Sequence, residues 1–265
     1  MGVFFLMSIE SVICFLQTWP VELTSFALFV VCMVSVLIMG RFWGRAGLYV
    51  YSVTAIIASN FQVLKAAEVS YLDDPLALGT VAFSSTYLTS DILTEIFGAK
   101  AARTSIFLGF ASSILLLCLM ILTLGVPPLK NVTGTLHEAF NHAHDALMVV
   151  FTPSISILMA SLSAYGISQI LDITLFAYLK EKKSTLWFRT FTSMGVSAFV
   201  DTFLFSFLAW IVFAEKPISW HTLFFTYVLG AYILRLIAAI AQTPILYMAK
   251  KWIPTHHDCL VPPSS

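Results

Sequence analysis

A chain of 265 residues that is 59% hydrophobic, only 11% charged and formally neutral, with a mean hydropathy of +0.90, holds far more apolar sequence than a soluble core of this size needs, and reads as a polytopic membrane protein. Neutral charge, with the basic residues scattered over short loops, excludes nucleic acid as a partner, because phosphates require a concentrated basic surface. Cys14, Cys32, Cys118 and Cys259 are far apart, mostly inside apolar runs, and form no CxxC pair, which excludes a disulfide framework and a cysteine zinc site.

The opening run VFFLMSIESVICFLQ at 3–17 lacks a basic n-region and a small-residue cleavage site, and Glu10 interrupts it. It is read as an interfacial helix rather than a cleaved signal. A bilayer core of about 30 Å needs about 20 apolar helical residues. That length predicts spans at 23–40, 46–66, 76–97, 104–125, 151–179, 191–213 and 221–249. The expected fold is an all-α, polytopic transmembrane helical bundle of about seven spans. Residues 1–45 hold the interfacial segment and an extra helix, 46–249 a six-helix core, and 250–265 a tail.

Span ends carry matching punctuation. Asp74-Pro75 and Thr152-Pro153 read as an N-cap followed by an N1 proline. Trp19, Trp43, Trp187, Trp210, Trp220 and Trp252 all fall near span ends, as interfacial aromatic belts require. Positive residues gather in alternate connections: Arg41 and Arg45, Lys100 and Arg103, Lys180 to Arg189, then Lys250 and Lys251. The intervening loops hold Glu68, Asp73 and Asp74, or Glu138 and Asp145, so the positive-inside rule predicts an outside N-terminus and a cytoplasmic C-terminus.

The longest outer connection, roughly 126–150, contains TLHEAFNHAHDALMVVF. His137, His142, His144 and Asp145 invite a metal reading, but His137-Glu138 is not followed by His at zincin spacing, and no metal site is expected. Leu136, Phe140, Ala143 and Leu147 recur at helical spacing and predict an amphipathic surface helix. The Asn131-Val132-Thr133 sequon is read as coincidental.

Short loops leave the spans to carry the chemistry. A charge at the centre of a membrane helix costs about 2.5–3.5 kcal/mol on insertion scales, so such residues face a partner, a cavity or a pathway. The second span carries Asn60, with Lys65 near its end. The third carries Asp91, Thr94 and Glu95, and the i, i+4 spacing stacks both carboxylates on one face. Gln169 and Asp172 share a face of the fifth, and Ser193, Ser197 and Asp201 form a polar stripe on the sixth. The seventh has Tyr232, Arg235 and Gln242, with Pro244 expected to kink it. Asp91 and Asp172 lie at similar shallow depth, with Asp201 and Arg235 deeper.

Acids on three separate spans point to a site rather than to one self-satisfied pair. Carboxylates accept hydrogen bonds in pairs and offset a cation, so they suit a ligand with adjacent N–H donors, such as a guanine-like face, or an amine, and acids that change protonation offer proton coupling. Three readings stand at this point: a small-molecule transporter, a substrate-binding membrane subunit for a separate energising complex, or an intramembrane enzyme using a pair such as Asp172 and Asp201 as acid and base. The glycine-flanked aspartate motif of intramembrane aspartyl proteases is missing, and no Ser/His or HExxH arrangement lies in a span, so a non-enzyme is expected.

SDILTEIFGAKAAR at 90–103, QILDITLFAYL at 169–179, LWFR at 186–189 after a basic loop, then Ser193 through DTFLF at 201–205 together closely resemble the queuosine-precursor transporters of the vitamin-uptake-transporter family. The resemblance runs from about Ser59-Asn60 to Pro244. It implies import, across a bacterial inner membrane, of a 7-deazaguanine (queuine or its cyano or aminomethyl precursors) for tRNA wobble modification, with no cofactor. By motif match it implies Asn60, Asp91, Glu95, Gln169, Asp172, Ser193, Asp201 and Arg235 as functional residues, to which the polar stripe adds Ser197. The expected roles are Asp172 and Gln169 reading the guanine-like edge and Asp91 with Glu95 guarding the cytoplasmic side, alone or with Arg103. Asp201 and Arg235 are expected to form a deep, switchable ion pair. The sequence departs from the family pattern at its N-terminal extra span and at Ala198, where an amide often precedes the DT pair.

Overall fold

The computed structural model describes residues 9–67, 76–129, 135–151, 155–214 and 216–254. It is a helical bundle: α1 (Ile9–Gln17), α2 (Val21–Gln62), α3 (Gly79–Ile96), α4 (Ala99–Leu124), α5 (Thr135–Phe151), α6 (Ile155–Glu181), α7 (Leu186–Phe207), α8 (Trp220–Thr222) and α9 (Gly230–Trp252). A π-helical stretch, Leu208–Val212, prolongs α7, and another, Leu223–Leu229, joins α8 to α9. Among the described residues, five helical runs are long and apolar enough to cross a membrane.

One of the five, α2, is two limbs. Gly44 adopts φ 55°, ψ −131°, a conformation that an L side chain rarely tolerates, and the chain reverses there. A Cβ on Gly47 would lie 2.1 Å from the Met39 carbonyl oxygen, and Cys32 of the first limb touches Tyr51 of the second. The two predicted spans at 23–40 and 46–66 are therefore these limbs. The second stops at Gln62, earlier than expected, because the chain leaves the helix for a short antiparallel ribbon, β1 (Ala66–Ala67) on β2 (Leu76–Ala77), which pairs the backbone polar groups a loop would leave open.

The third predicted span, α3, is not among the five apolar runs, because Ser, Thr, Asp and Glu dilute it. Its position explains how it stays in the bundle. Every residue from Ala82 to Thr94 is buried, and α3 packs on α2, α4, α6 and α9. A helix screened from lipid by its neighbours can be polar, provided its groups are hydrogen-bonded. Gly98, at φ 88°, ends the turn between α3 and α4, and α4 starts at Ala99, five residues earlier than predicted. α9 runs on through Pro244.

Ile253 packs over Gly40, and Glu95, Lys180, Arg189 and Lys250 meet, so the Gly44 turn and the ends of α3, α6, α7 and α9 lie on one face of the bundle. This is the basic face. Trp43, Trp187 and Trp252 are exposed at that end, and Trp19, just before α2, and Trp220, the first residue of α8, lie at the other. Phe26, Val31, Phe107, Leu115, Leu122 and Ile240 give α2, α4 and α9 an exposed apolar surface of the kind lipid covers.

The expected surface helix forms as α5, mostly exposed, with Phe151 edge-on to Phe61 at 5.4 Å. The nine residues of α1 are all exposed or nearly so. Among the described residues no His, Cys, Asp and Glu group could hold a metal ion. The proline caps at 74–75 and 152–153, the sequon at 131–133, Glu68, Asp73, Asp74, Cys259 and most of the tail lie outside the described residues.

Candidate functional site

The hydroxyls of α3 are first satisfied within their own helix. Ser84, Ser85, Thr86, Thr89 and Thr94 donate to carbonyls three or four residues back at 2.6–2.9 Å, which leaves their lone pairs for other helices, while Ser90 shares its single proton between the Tyr87 carbonyl at 2.8 Å and an acceptor on another helix. Tyr51 of α2 donates to Ser85 at 2.7 Å, and Gln169 Nε2 of α6 donates to Thr86 at 3.1 Å. From this helix a column of polar groups runs from the basic face toward the middle of the bundle.

At the basic face Glu95 is held by three cations from three helices. Arg189 Nη2 lies 2.6 Å from Oε2, Lys250 Nζ 2.7 Å from Oε1, and Lys180 Nζ 3.6 Å from Oε2. Lys180 also donates to the carbonyls of Thr94 and Glu95 at 3.1 and 2.6 Å, capping the electronegative end of α3. The Arg189 guanidinium sits 5.2 Å over the Phe176 ring. Arg103, expected beside these acids, is instead exposed on α4.

One turn deeper, Asp91 is completely buried, and neither of its carboxylate oxygens has a hydrogen-bond partner among the described residues. Asp172, Arg189 and Glu95 are its charged neighbours, and Thr190 faces it without closing a bond. Asp172, equally buried, is well held: Ser90 donates to Oδ2 at 3.2 Å, Ser197 donates to Oδ1 at 3.1 Å, and Ser193 flanks the same carboxylate. Gln169 Oε1 is unpartnered.

Deepest is the Asp201–Arg235 ion pair. Ser168 donates to the other Asp201 oxygen at 2.8 Å and accepts from Tyr87 at 2.9 Å, so α3, α6, α7 and α9 are joined through one carboxylate. Asn60 does not share in this column. It lines a mostly apolar cleft with Ile57, Phe61, Ser113 and Leu117.

Sequence reasoning passed over Tyr87, Ser90, Ser168 and Thr190, since isolated hydroxyls in apolar helices carry no signal of their own. Lys180 and Lys250 read from the sequence only as markers of sidedness, and Arg189 as such a marker and as the end of LWFR. Chemically, the column offers open acceptors on Asp91 and Gln169 in a region closed to water, which is complementary to a ligand presenting neighbouring N–H donors.

Residues 77–249 match the family described as "Putative vitamin uptake transporter". The chain belongs to this family. Among curated relatives it is 27% identical over 222 residues to a "Probable queuosine precursor transporter" of Bacillus subtilis (strain 168), covering 83% of this chain and 90% of that one. A "Probable queuosine precursor transporter" of Haemophilus influenzae is 27% identical over 143 residues, covering 54% and 55% of the two chains. No solved structure matches. The vitamin uptake transporter match takes in α3, α6, α7 and nearly all of α9, and with them every acid of the buried column; Asn60 and Lys250 fall outside it. A transporter family and several long apolar helices make this a multi-pass membrane protein.

Proposed function

We propose that this protein imports a queuosine precursor, a 7-deazaguanine such as queuine or its cyano or aminomethyl precursors, across a bacterial inner membrane for tRNA modification. The observation that carries the reading is the unpartnered, fully buried Asp91 carboxylate. A guanine-like edge presents a ring N–H beside an exocyclic amino group, and a carboxylate accepts from both at once. The names of both curated relatives point to the same substrate class.

The roles follow the open atoms. Asp91 and Gln169, rather than Asp172 and Gln169, read the base, because Asp172 already accepts from Ser90 and Ser197. Asp172, with Ser193 and Ser197, is the neighbouring acid through which proton coupling would run. Asp201 and Arg235 form the deep pair, and the Glu95 cluster closes the basic face. Positive residues on that face support a cytoplasmic C-terminus, with 46–249 as the transporting core, 1–45 as an addition to it and 250–265 as a cytoplasmic tail.

The test is to express the protein in a bacterium that neither makes queuosine precursors nor has its own importer, feed each deazapurine, and measure queuosine in tRNA. At least one base restores it. Failure of every deazapurine, with the protein confirmed in the membrane, rules the assignment out. Rescue that appears only when an ATPase complex is supplied makes the chain a binding subunit.

A further inference from the structure

Gln242 of α9 is completely buried, and both its amide oxygen and its amide nitrogen lack a partner among the described residues. An amide left this way forfeits the hydrogen bonds it would make in water, so a residue of this kind in a packed helix bundle calls for a partner that comes and goes. Its register shows where that partner sits. One turn back on α9, Ala239 packs in a cluster with Tyr87 of α3 and Met194 of α7. α3 and α9 run toward the basic face and α7 away from it. One turn of about 5.4 Å toward that face therefore reaches Asp91 on α3, Thr190 on α7 and Gln242 on α9. All three carry unpartnered, buried polar atoms.

We propose that Gln242 is a specificity residue of the substrate site, donating its amide N–H to the ring carbonyl of the base while Asp91 takes the two adjacent N–H donors. This rests on the deazaguanine reading above and adds to it a division of labour. A carboxylate alone tolerates any base with two neighbouring N–H groups. Only a donor beside it reads the group at position 6: an oxo oxygen accepts well from the Gln242 N–H, whereas a thioxo sulfur, on a ring that keeps both N–H donors facing Asp91, accepts weakly.

The test uses the full-length protein in the importer-deficient bacterium and measures competition against uptake of a labelled 7-deazaguanine. The competitors are the unlabelled 6-oxo base and its 6-thioxo counterpart, which keeps both N–H donors facing Asp91. Their ratio of half-inhibiting concentrations is independent of how much protein reaches the membrane. Wild type prefers the 6-oxo base by at least tenfold. Gln242→Glu, whose carboxylate accepts rather than donates, and Gln242→Met, which keeps the volume without polar atoms, each lower that ratio at least tenfold. A ratio unchanged from wild type in both variants overturns the role of Gln242 while leaving the transport reading intact. Absence of deazaguanine uptake in wild type defeats the transport reading itself, and the Gln242 role with it.

Discussion

Replacing Arg189 with Met tests whether the Glu95 cluster is governed by burial or by the number of its charges. The Glu95 and Arg189 side chains are 4% and 8% exposed, against 37% for Lys180 and 55% for Lys250. Removing one partner of a buried pair costs about 3–5 kcal/mol, because the other charge is left desolvated. Here Lys180 and Lys250 still face Glu95, which brings the expected loss for Arg189→Met to about 2–3 kcal/mol. Lys250 is mostly in solvent, so Lys250→Met costs about 0.2–1 kcal/mol even though its 2.7 Å contact is nearly as short. At about 2–4 °C per kcal/mol for a chain of this size, the shifts in Tm are roughly 4–12 °C and roughly 0.4–4 °C. Thermal unfolding of the purified protein in detergent at one fixed scan rate measures both. A double-mutant cycle with Glu95→Gln adds the coupling, expected at about 2 kcal/mol for Arg189 and under about 0.5 kcal/mol for Lys250. Equal Tm shifts, or equal couplings, would refute the argument that burial sets the strength of this cluster.

Three further outcomes follow, two from the same column and one from the α2 turn. Asp91→Asn abolishes deazaguanine uptake while Tm stays level or rises, since the substitution removes a desolvated charge that no hydrogen bond among the described residues offsets; a Tm loss of several degrees would mean that Asp91 is a structural ion-pair member. Asp201→Asn destabilises by about 3–5 kcal/mol because it strands Arg235, and adding Arg235→Gln restores part of the loss, measured by unfolding of the single and double variants. Gly44→Ala costs about 1–3 kcal/mol by forcing a side chain into the positive-φ turn of α2, read as lower Tm and lower membrane yield.

The apolar runs by themselves determined that the chain is a polytopic helical bundle and where most helices lie, because a bilayer fixes the length of an apolar helix and demands that its backbone bond internally. The same rule located the acids as candidates, since a charge inside such a run needs a reason. It could not tell that α3, the least apolar of the spans, is the central one. Hydropathy measures a segment's suitability for lipid, and α3 meets almost none. Only the packing of α6, α7 and α9 around it decided which acids are at rest. Asp172 carries the better local signal, three residues from Gln169, yet Ser90 and Ser197 arrive from other helices to satisfy it. Asp91 and Gln242 are separated by some 150 positions in the chain and share a level in the bundle only through helix register. Hydrogen bonds act over about 3 Å, and nothing in a single sequence brings groups that remote within such a distance until the helices have packed.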